Sequence, residues 1–163
     1  IAGFNYSVRY KFQNARKAGV AFEQMPAPDA RIVYEFIRKC QAQRGYSLSM
    51  TYDHLERSMI DFGDRYLFFG LFLKQTLIAA AITVRVNQRI LYDYAHSHDR
   101  AFDNLSPVIS LIDGIYGYCH NNGIAILDLG TSALEGKPDF DLLYFKRSLG
   151  ARTTLKLTFE KSL

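Results

Sequence analysis

Hydrophobic residues recur along the chain with two different spacings, and these spacings predict where helices and strands lie. Spacings of three and four residues are typical of amphipathic helices, and runs rich in β-branched and aromatic residues are typical of strands. The predicted helices cover residues 6–18, 29–44, 52–62, 107–120 and 137–149, and the predicted strands cover residues 20–24, 65–73, 77–86, 90–96, 124–129 and 154–160.

The order of these elements predicts an α+β fold. Three strands between residues 65 and 96 are separated only by short turns, which favours an antiparallel meander. The strand at 124–129 follows a helix, and such a crossover lets two neighbouring strands pair in parallel. We therefore predict a mixed, mainly antiparallel sheet with helices on both faces. Within this single domain, a basic helix and first strand (1–24) are expected to pack on a core formed by residues 25–163.

The segment 89–130 carries the strongest local signals for a binding site. Ser106 followed by Pro107 is typical of a helix start, with the serine hydroxyl as the N-cap. Backbone amides at a helix start favour negative charge, so this helix start and the preceding strand end predict an anion site. Strict alternation along that strand predicts two sets of side chains: Leu91, Asp93 and Ala95 on one face, and Tyr92, Tyr94 and His96 on the other.

Positive charge is concentrated near the N-terminus. The formal net charge is +4, and residues 1–50 hold eight of the 20 Lys and Arg residues but only three of the 16 acidic ones. Much of this excess lies in the first predicted helix, at Arg9, Lys11, Arg16 and Lys17. These side chains either form a solvated helix face or contact the phosphates of an anionic partner such as tRNA.

The remaining composition excludes several classes of protein. The chain is 48% hydrophobic and 22% charged, as globular domains are, and no apolar run is long enough for a membrane span, so we expect a cytoplasmic protein. Cys40 and Cys119 lie on the apolar stripes of predicted helices, where free buried thiols are expected rather than a disulfide or a nucleophile. His96 and His98 lie two residues apart, as some metal ligands do, but no third ligand is apparent and no metal is predicted.

Six short segments carry a resemblance that extends over nearly the whole chain: residues 14–19, 66–68, 90–94, 105–107, 128–132 and 145–150. Their order and spacing, together with the order of elements, resemble the GNAT N-acyltransferases. Within that group the sequence is more similar to the Fem-type aminoacyltransferases of peptidoglycan bridges and their single-domain relatives. The resemblance implies an enzyme that moves an acyl or aminoacyl group from acyl-CoA or aminoacyl-tRNA to an amine acceptor, without a covalent enzyme intermediate and without a metal.

The resemblance also implies where the acyl donor binds. In such enzymes the strand before the crossover helix binds the acyl carbonyl, and the start of that helix holds the donor phosphates. The corresponding residues here, with two from later motifs, form the predicted donor-binding set: Tyr92, Tyr94, His96, Ser106, Ser132 and Lys146. Lys146 either contacts phosphate or an acceptor carboxylate, or is a surface lysine.

The chain departs from the acetyl-CoA pattern at two positions. CoA-binding members usually carry a glycine-rich turn before the crossover helix, whereas residues 97–105 contain no glycine. Such members often place a tyrosine four residues before the glycine that follows the last helix, and Lys146 stands there instead. Both departures fit the Fem-type branch with aminoacyl-tRNA as donor. They also leave open a catalytically silent module that binds an acyl donor or nucleic acid on the same fold.

Amine acylation requires proton transfers, and three residues are candidates for them. Asp93 lies mid-strand in an apolar context, and it is either a general base or a hydrogen-bonded structural carboxylate. Asp128 ends a strand beside the predicted site, and it either acts there or caps the turn at Gly130. Tyr144 is either the acid that protonates the leaving group or a core tyrosine.

Overall fold

The computed structural model describes residues 4–134 and 136–155. The helices are α1 (Tyr6–Lys17), α2 (Ala30–Ala42), α3 (Tyr52–Phe62), α4 (Pro107–Asn121) and α5 (Phe140–Ser148). The strands are β1 (Val20–Met25), β2 (Tyr66–Leu73), β3 (Thr76–Asn87), β4 (Ile90–His98), β5 (Ile126–Asp128), β6 (Ala133–Leu134) and β7 (Lys137–Pro138). Short 3-10 helices lie at Ala27–Asp29, Gly63–Arg65 and Arg100–Leu105.

Most of the predicted elements are confirmed within a few residues. The last helix begins at Phe140 rather than at residue 137, because Lys137–Pro138 pairs with Ala133–Leu134 in a small hairpin and Asp139 caps the helix. The predicted strand at 154–160 lies almost entirely outside the described residues. None of the helices in the described part of the chain has both the length and the apolar content needed to cross a membrane.

The main sheet has the order β1-β2-β3-β4-β5. The first three pairings are antiparallel, and β4 pairs with β5 in parallel across the α4 crossover. This arrangement confirms the predicted α+β fold and the parallel neighbour of β4. It leaves β4 next to the sheet edge in the described residues, and there it has a long antiparallel partner on one side and a short parallel one on the other.

Helices cover both faces of the sheet. On one face, α4 packs Leu111, Ile115 and Cys119 against Phe69 and other buried strand residues. On the other face, α2 and α3 cover a second cluster, which includes Val33, Ile37, Leu55, Phe68 and Ile82. A third, smaller cluster joins α1 and α4, with α5 packed against it, and its members are Phe4, Val8, Phe12, Ile109, Phe145 and Leu149. The helices α1, α2 and α4 thus each bury several apolar residues at helical spacing, whereas α3 buries Leu55 alone and α5 packs Phe145 and Leu149 only partly.

A β-bulge in β4 overturns the predicted alternation. Ala95 pairs with Ile82 and Asp93 pairs with the next residue, Thr83, so Tyr94 is an extra residue in β4. One inserted residue reverses which face the following side chains occupy. Leu91 therefore packs in the α4 cluster whereas Ala95 packs in the α2 cluster, and His96 lies on the same face as Asp93.

The start of α4 also differs from the prediction. Ser106 occupies the N-cap position, but it has a left-handed backbone conformation (φ 47°, ψ 58°), and its hydroxyl accepts no capping hydrogen bond within the described residues. A side-chain cap normally requires an extended residue at this position, which explains the difference. The first turn of α4 is thus left without a serine cap.

Candidate functional site

The strands β4 and β5 part after their third pair of residues. Tyr92 and Asp128 form the last pair, and β4 continues alone with β3 as far as His98. At the turn that follows β5, the Gly130 amide donates to Asp128 Oδ1 at 2.9 Å. Gly130 has φ +74° and lies beside the Tyr92 ring, where an added Cβ would be 3.5 Å from a ring carbon. The two strands therefore separate at this level of the sheet.

A cleft of about 380 Å³ lies beyond the separation, between the end of β4 and the start of α4. Helix α5 and the charged side chains of Lys11 and Arg44 complete it. The residues that line this cleft are Lys11, Arg44, His96, Ser97, His98, Asp103, Ser106, Pro107, Val108, Ile109, Leu142 and Phe145. Its walls thus combine an apolar surface with two cations and two imidazoles.

Asp93 forms a pair with His96, which lines this cleft. Asp93 Oδ2 lies 2.7 Å from His96 Nδ1, and the Asp93 side chain is almost fully buried. Burial, the largest effect, lowers the pKa of His96, but the charge and hydrogen bond of Asp93 outweigh it, and the pKa of His96 is raised. The bulge at Tyr94 is what brings these two residues to one face.

His98 also lines the cleft, but its environment shifts its pKa in the opposite direction. Its Nε2 lies 2.7 Å from Asp103 Oδ1, and Arg44 Nη2 lies 3.0–3.1 Å from both ring nitrogens. Burial lowers the pKa of His98, the hydrogen bond to Asp103 raises it, Arg44 lowers it, and the net direction is down. A neutral ring that donates from Nε2 to Asp103 and accepts from Arg44 at Nδ1 satisfies all three groups.

Lys146 fixes the loop that follows β5. It is buried, and its Nζ donates to the carbonyl oxygens of Thr131 at 2.6 Å and Gly130 at 3.2 Å. The alternative of a surface lysine is therefore wrong. Because two of its three ammonium protons are committed to backbone carbonyls, Lys146 holds the strand-end loop close to His96, whose pKa its charge lowers.

The other predicted site residues described next are not among those that line the cleft. Asp128 caps the Gly130 turn, as one of its two interpretations expects. Tyr92 and Tyr94 form an edge-to-face ring pair, and the Tyr94 hydroxyl lies 2.9 Å from Ser49 Oγ. The Ser132 carbonyl accepts from the Asp139 amide. Tyr144 is 72% exposed on α5, so it is not a core tyrosine, and it does not line the cleft.

Of the four basic residues predicted to form a charged surface on α1, Lys11 alone is among the residues that line the cleft. Lys11 lines the cleft, whereas Arg9, Arg16 and Lys17 are exposed on the helix surface. Arg44, which sequence reasoning missed, supplies the second cation of the cleft. It follows α2 and lies 54 positions before His98 in the chain, so no local motif connects the two.

Thiol and metal chemistry have little support in the described residues. Cys40 and Cys119 are free and buried, which confirms the prediction. Burial raises the pKa of Cys119 to about 11, so its thiolate is scarce near neutral pH. No group of three His, Cys, Asp or Glu side chains suited to a metal ion occurs among the residues that the structure describes.

Comparison with known proteins identifies the family. The acetyltransferase (GNAT) domain profile matches residues 2–147, which is most of the chain. The protein belongs to the GNAT acetyltransferase family. This confirms the resemblance inferred from the motifs, and the parted strands β4 and β5 are a feature of this GNAT domain. Comparison with curated protein sequences gives no match.

Solved structures share the fold at low sequence identity. FemX superposes with a TM-score of 0.74 at 12% identity, over 91% of this chain and 54% of FemX, so the present chain spans about half of that protein. The aminoglycoside acetyltransferase AAC(6')-Iy, in complex with a bisubstrate analogue of CoA, gives 0.61 at 16% identity over 88% and 98% of the two chains. The ribosomal-protein-S18-alanine N-acetyltransferase of Escherichia coli gives 0.62 at 18%, over 80% and 76%.

Proposed function

We propose that this GNAT domain is an N-acyltransferase that binds a phosphate-bearing acyl donor, of the acyl-CoA class, in the cleft between β4 and α4. The proposal depends on one observation above all, which is that the strand end, the helix start and two cations surround a single open cleft. Family membership supports acyl transfer in general. The cleft supports the proposal that the donor binds between β4 and α4.

The charges around the cleft favour an anionic donor. Lys11 reaches it from α1 and Arg44 from the end of α2, so positive charge approaches from two sides. The helix start adds the partial positive charge of its backbone amides, which the Ser106 hydroxyl leaves uncapped. Phosphate oxygens accept hydrogen bonds from both kinds of group, and those from lysine and arginine are strengthened by charge.

The apolar walls favour a donor with a slender organic arm. Pro107, Ile109 and Phe145 line the cleft opposite its polar side. An acyl-pantetheine chain fits such a surface, because its methylene and amide groups alternate apolar and polar contacts. Of the four basic residues in α1, only Lys11 lines the cleft, which gives less support to a tRNA backbone as the bound carrier.

The donor is tested by titrating acetyl-CoA, a long-chain acyl-CoA and a charged tRNA against the protein by calorimetry, followed by transfer assays with a panel of primary amines. We expect acyl-CoA to bind in the micromolar range and to be consumed with at least one amine. Tight tRNA binding that weakens steeply with salt would favour the aminoacyl-tRNA donor instead. A donor that binds but is never consumed would indicate a catalytically silent module.

A further inference from the structure

We propose that His96 is the general base that removes a proton from the acceptor ammonium, and that Asp93 is the residue that positions its ring. This inference rests on the proposed acyl transfer and adds to it a proton acceptor inside the cleft. The sequence pattern placed these two side chains on opposite faces of β4, and only the bulge at Tyr94 brings them together.

The geometry assigns a separate role to each nitrogen of the ring. Asp93 Oδ2 lies 2.7 Å from Nδ1, and an ionised carboxylate can only accept a hydrogen bond. Nδ1 therefore donates, and the neutral ring carries its lone pair on Nε2. His96 lines the cleft and its side chain is 27% exposed, so the basic nitrogen belongs to a ring that a bound acceptor can reach.

The second oxygen of Asp93 distinguishes this pair from a closed structural ion pair. Oδ1 is buried and has no hydrogen-bond partner among the residues that the structure describes. A buried carboxylate oxygen without a partner is unfavourable and is rare in folded proteins. Among the described residues, the hydrogen bonding of the Asp93 carboxylate is therefore directed to His96, as expected of a residue that positions the ring.

The charges around His96 come from every element that borders the cleft. Asp93 on the same strand raises the pKa of His96 against the effect of burial, whereas Lys146 on α5 and Arg44 after α2 lower it. Lys11 of α1, Asp103 of the 3-10 helix and His98 line the same cleft. The net result is a pKa above that of an ordinary imidazole, which makes His96 the stronger proton acceptor of the two histidines that line the cleft.

The proposed acyl transfer begins when the acceptor ammonium loses a proton. His96 Nε2 accepts one proton from the acceptor R–NH₃⁺, and the amine lone pair then forms a C–N bond to the acyl carbon of the donor. The C–S bond of the thioester breaks, and the sulfur leaves with the second proton lost by nitrogen. The products are the amide and free CoA-SH, and His96 returns its proton to the solvent.

The experiment combines an NMR titration with kinetics for the wild type, His96→Gln and Asp93→Asn. His120→Gln is the matched control, because His120 is an exposed histidine at the far end of α4. Imidazole resonances report the pKa of His96 without any substrate. Turnover is followed with acetyl-CoA and the amine most rapidly acetylated by the wild type, and acetyl-CoA binding is measured alongside.

We expect His96→Gln to lower kcat/KM for the amine about 100-fold or more, with a smaller change in acetyl-CoA binding. The rise of kcat/KM with pH, centred on the pKa of His96 in the wild type, should be absent in that variant. Asp93→Asn should move both the NMR titration and the kinetic rise to lower pH, because the charge that raises the pKa of His96 is gone. His120→Gln should match the wild type.

Two results would overturn this inference and leave the proposed function standing. One is acyl transfer by His96→Gln within about threefold of the wild type, together with an unchanged pH profile. The other is an NMR titration of His96 that Asp93→Asn does not move. A wild type that transfers from neither acetyl-CoA nor a charged tRNA would overturn the proposed function itself, and this inference with it.

Discussion

The two halves of β4 differ in the number of strands that they pair with. Residues 90–92 lie between β3 and β5 and pair with both. Of residues 93–98, all but the bulge residue Tyr94 pair with β3, and none of them pairs with another strand in the part of the chain that the structure describes, because β5 ends at Asp128. Leu91 in the first half is fully buried among apolar side chains, whereas the second half carries Asp93, His96 and His98.

The first half of β4 is therefore expected to contribute mainly to stability, and the second half mainly to binding and chemistry. A strand with two partners satisfies its backbone groups and buries its side chains, which favours folding. A strand that has lost one partner leaves backbone and polar side chains available to another molecule. Substitutions in the two halves should therefore have different consequences.

The largest effect is expected from Leu91→Ala in the paired half. Leu91 is fully buried against α4, so its truncation should lower the free energy of unfolding by about 2–5 kcal/mol. Urea unfolding measures this loss. Ile126→Ala is the comparison on the adjoining strand, where Ile126 is 53% exposed, and it should cost less than about 1 kcal/mol. Equal losses in the two variants would contradict the assignment of β4 as the core strand.

A second test concerns the helix that covers the paired half. A Cβ added at Gly114 of α4 would overlap the ring of Phe22, whereas a Cβ at Gly117 meets no atom within 4 Å. Gly114→Ala should therefore destabilise the protein by about 1–3 kcal/mol, and Gly117→Ala should stabilise it by up to about 1 kcal/mol. Thermal unfolding of both variants would show whether α4 really packs this closely. Two variants of equal stability would argue against that packing.

Beside the parted half, where Arg44 contacts His98, Arg44→Met should affect binding more than stability. Arg44 is exposed, and it supplies one of the two cations of the cleft. Loss of its charge should weaken acetyl-CoA binding about tenfold, which corresponds to about 1.4 kcal/mol, with little change in unfolding. Arg57→Met, on the exposed surface of α3, is the control. Similar affinities for both variants would remove Arg44 from the donor site.

The smallest effects should appear in the pH dependence of stability. The pKa of His96 is raised in the folded protein, so its contribution is fully present below the pKa of the unfolded imidazole and is lost as pH rises through the folded value. The pKa of His98 is lowered, so its contribution is fully present above the pKa of the unfolded imidazole and is lost as pH falls through the folded value.

Melting temperatures measured from about pH 5 to about pH 8 test both signs at once. The difference in melting temperature between the wild type and His96→Gln should shrink as pH rises. The difference between the wild type and His98→Gln should shrink as pH falls. Two parallel curves would mean that the two rings share one environment, against the geometry of the cleft.

Much of the fold was predictable because helix and strand signals are local. Thr51, a residue type favoured at N-caps, directly precedes the predicted helix at residues 52–62, and its hydroxyl does accept from the His54 amide. The crossover from β4 to β5 followed from the helix between them. The small hairpin at residues 133–138 was not predictable, since its two-residue strands show no periodicity.

The candidate site was predicted in position but not in detail. The end of β4 and the start of α4 do line the cleft. The pairing of Asp93 with His96 was not predictable, because it depends on the extra residue at Tyr94, whereas the prediction assumed that side chains alternate strictly along the strand. The left-handed backbone at Ser106 likewise depends on the 3-10 helix packed before it. Arg44 reaches the cleft because of the way α2 packs in the folded domain, and the residues next to it in the sequence do not predict this position.

A single additional residue in a strand carries a further consequence for how such domains diversify. A one-residue register slip exchanges the two faces of a strand, whereas a bulge absorbs an inserted residue and leaves the downstream pairs in place. Deletion of Tyr94 would therefore leave Ala95 opposite Ile82 and His96 opposite Ala81, with both imidazoles still on the side of Asp93. Related chains that lack this extra residue are expected to keep the same chemistry at equivalent backbone positions, although the spacing of the two residues in their sequence would be shorter by one.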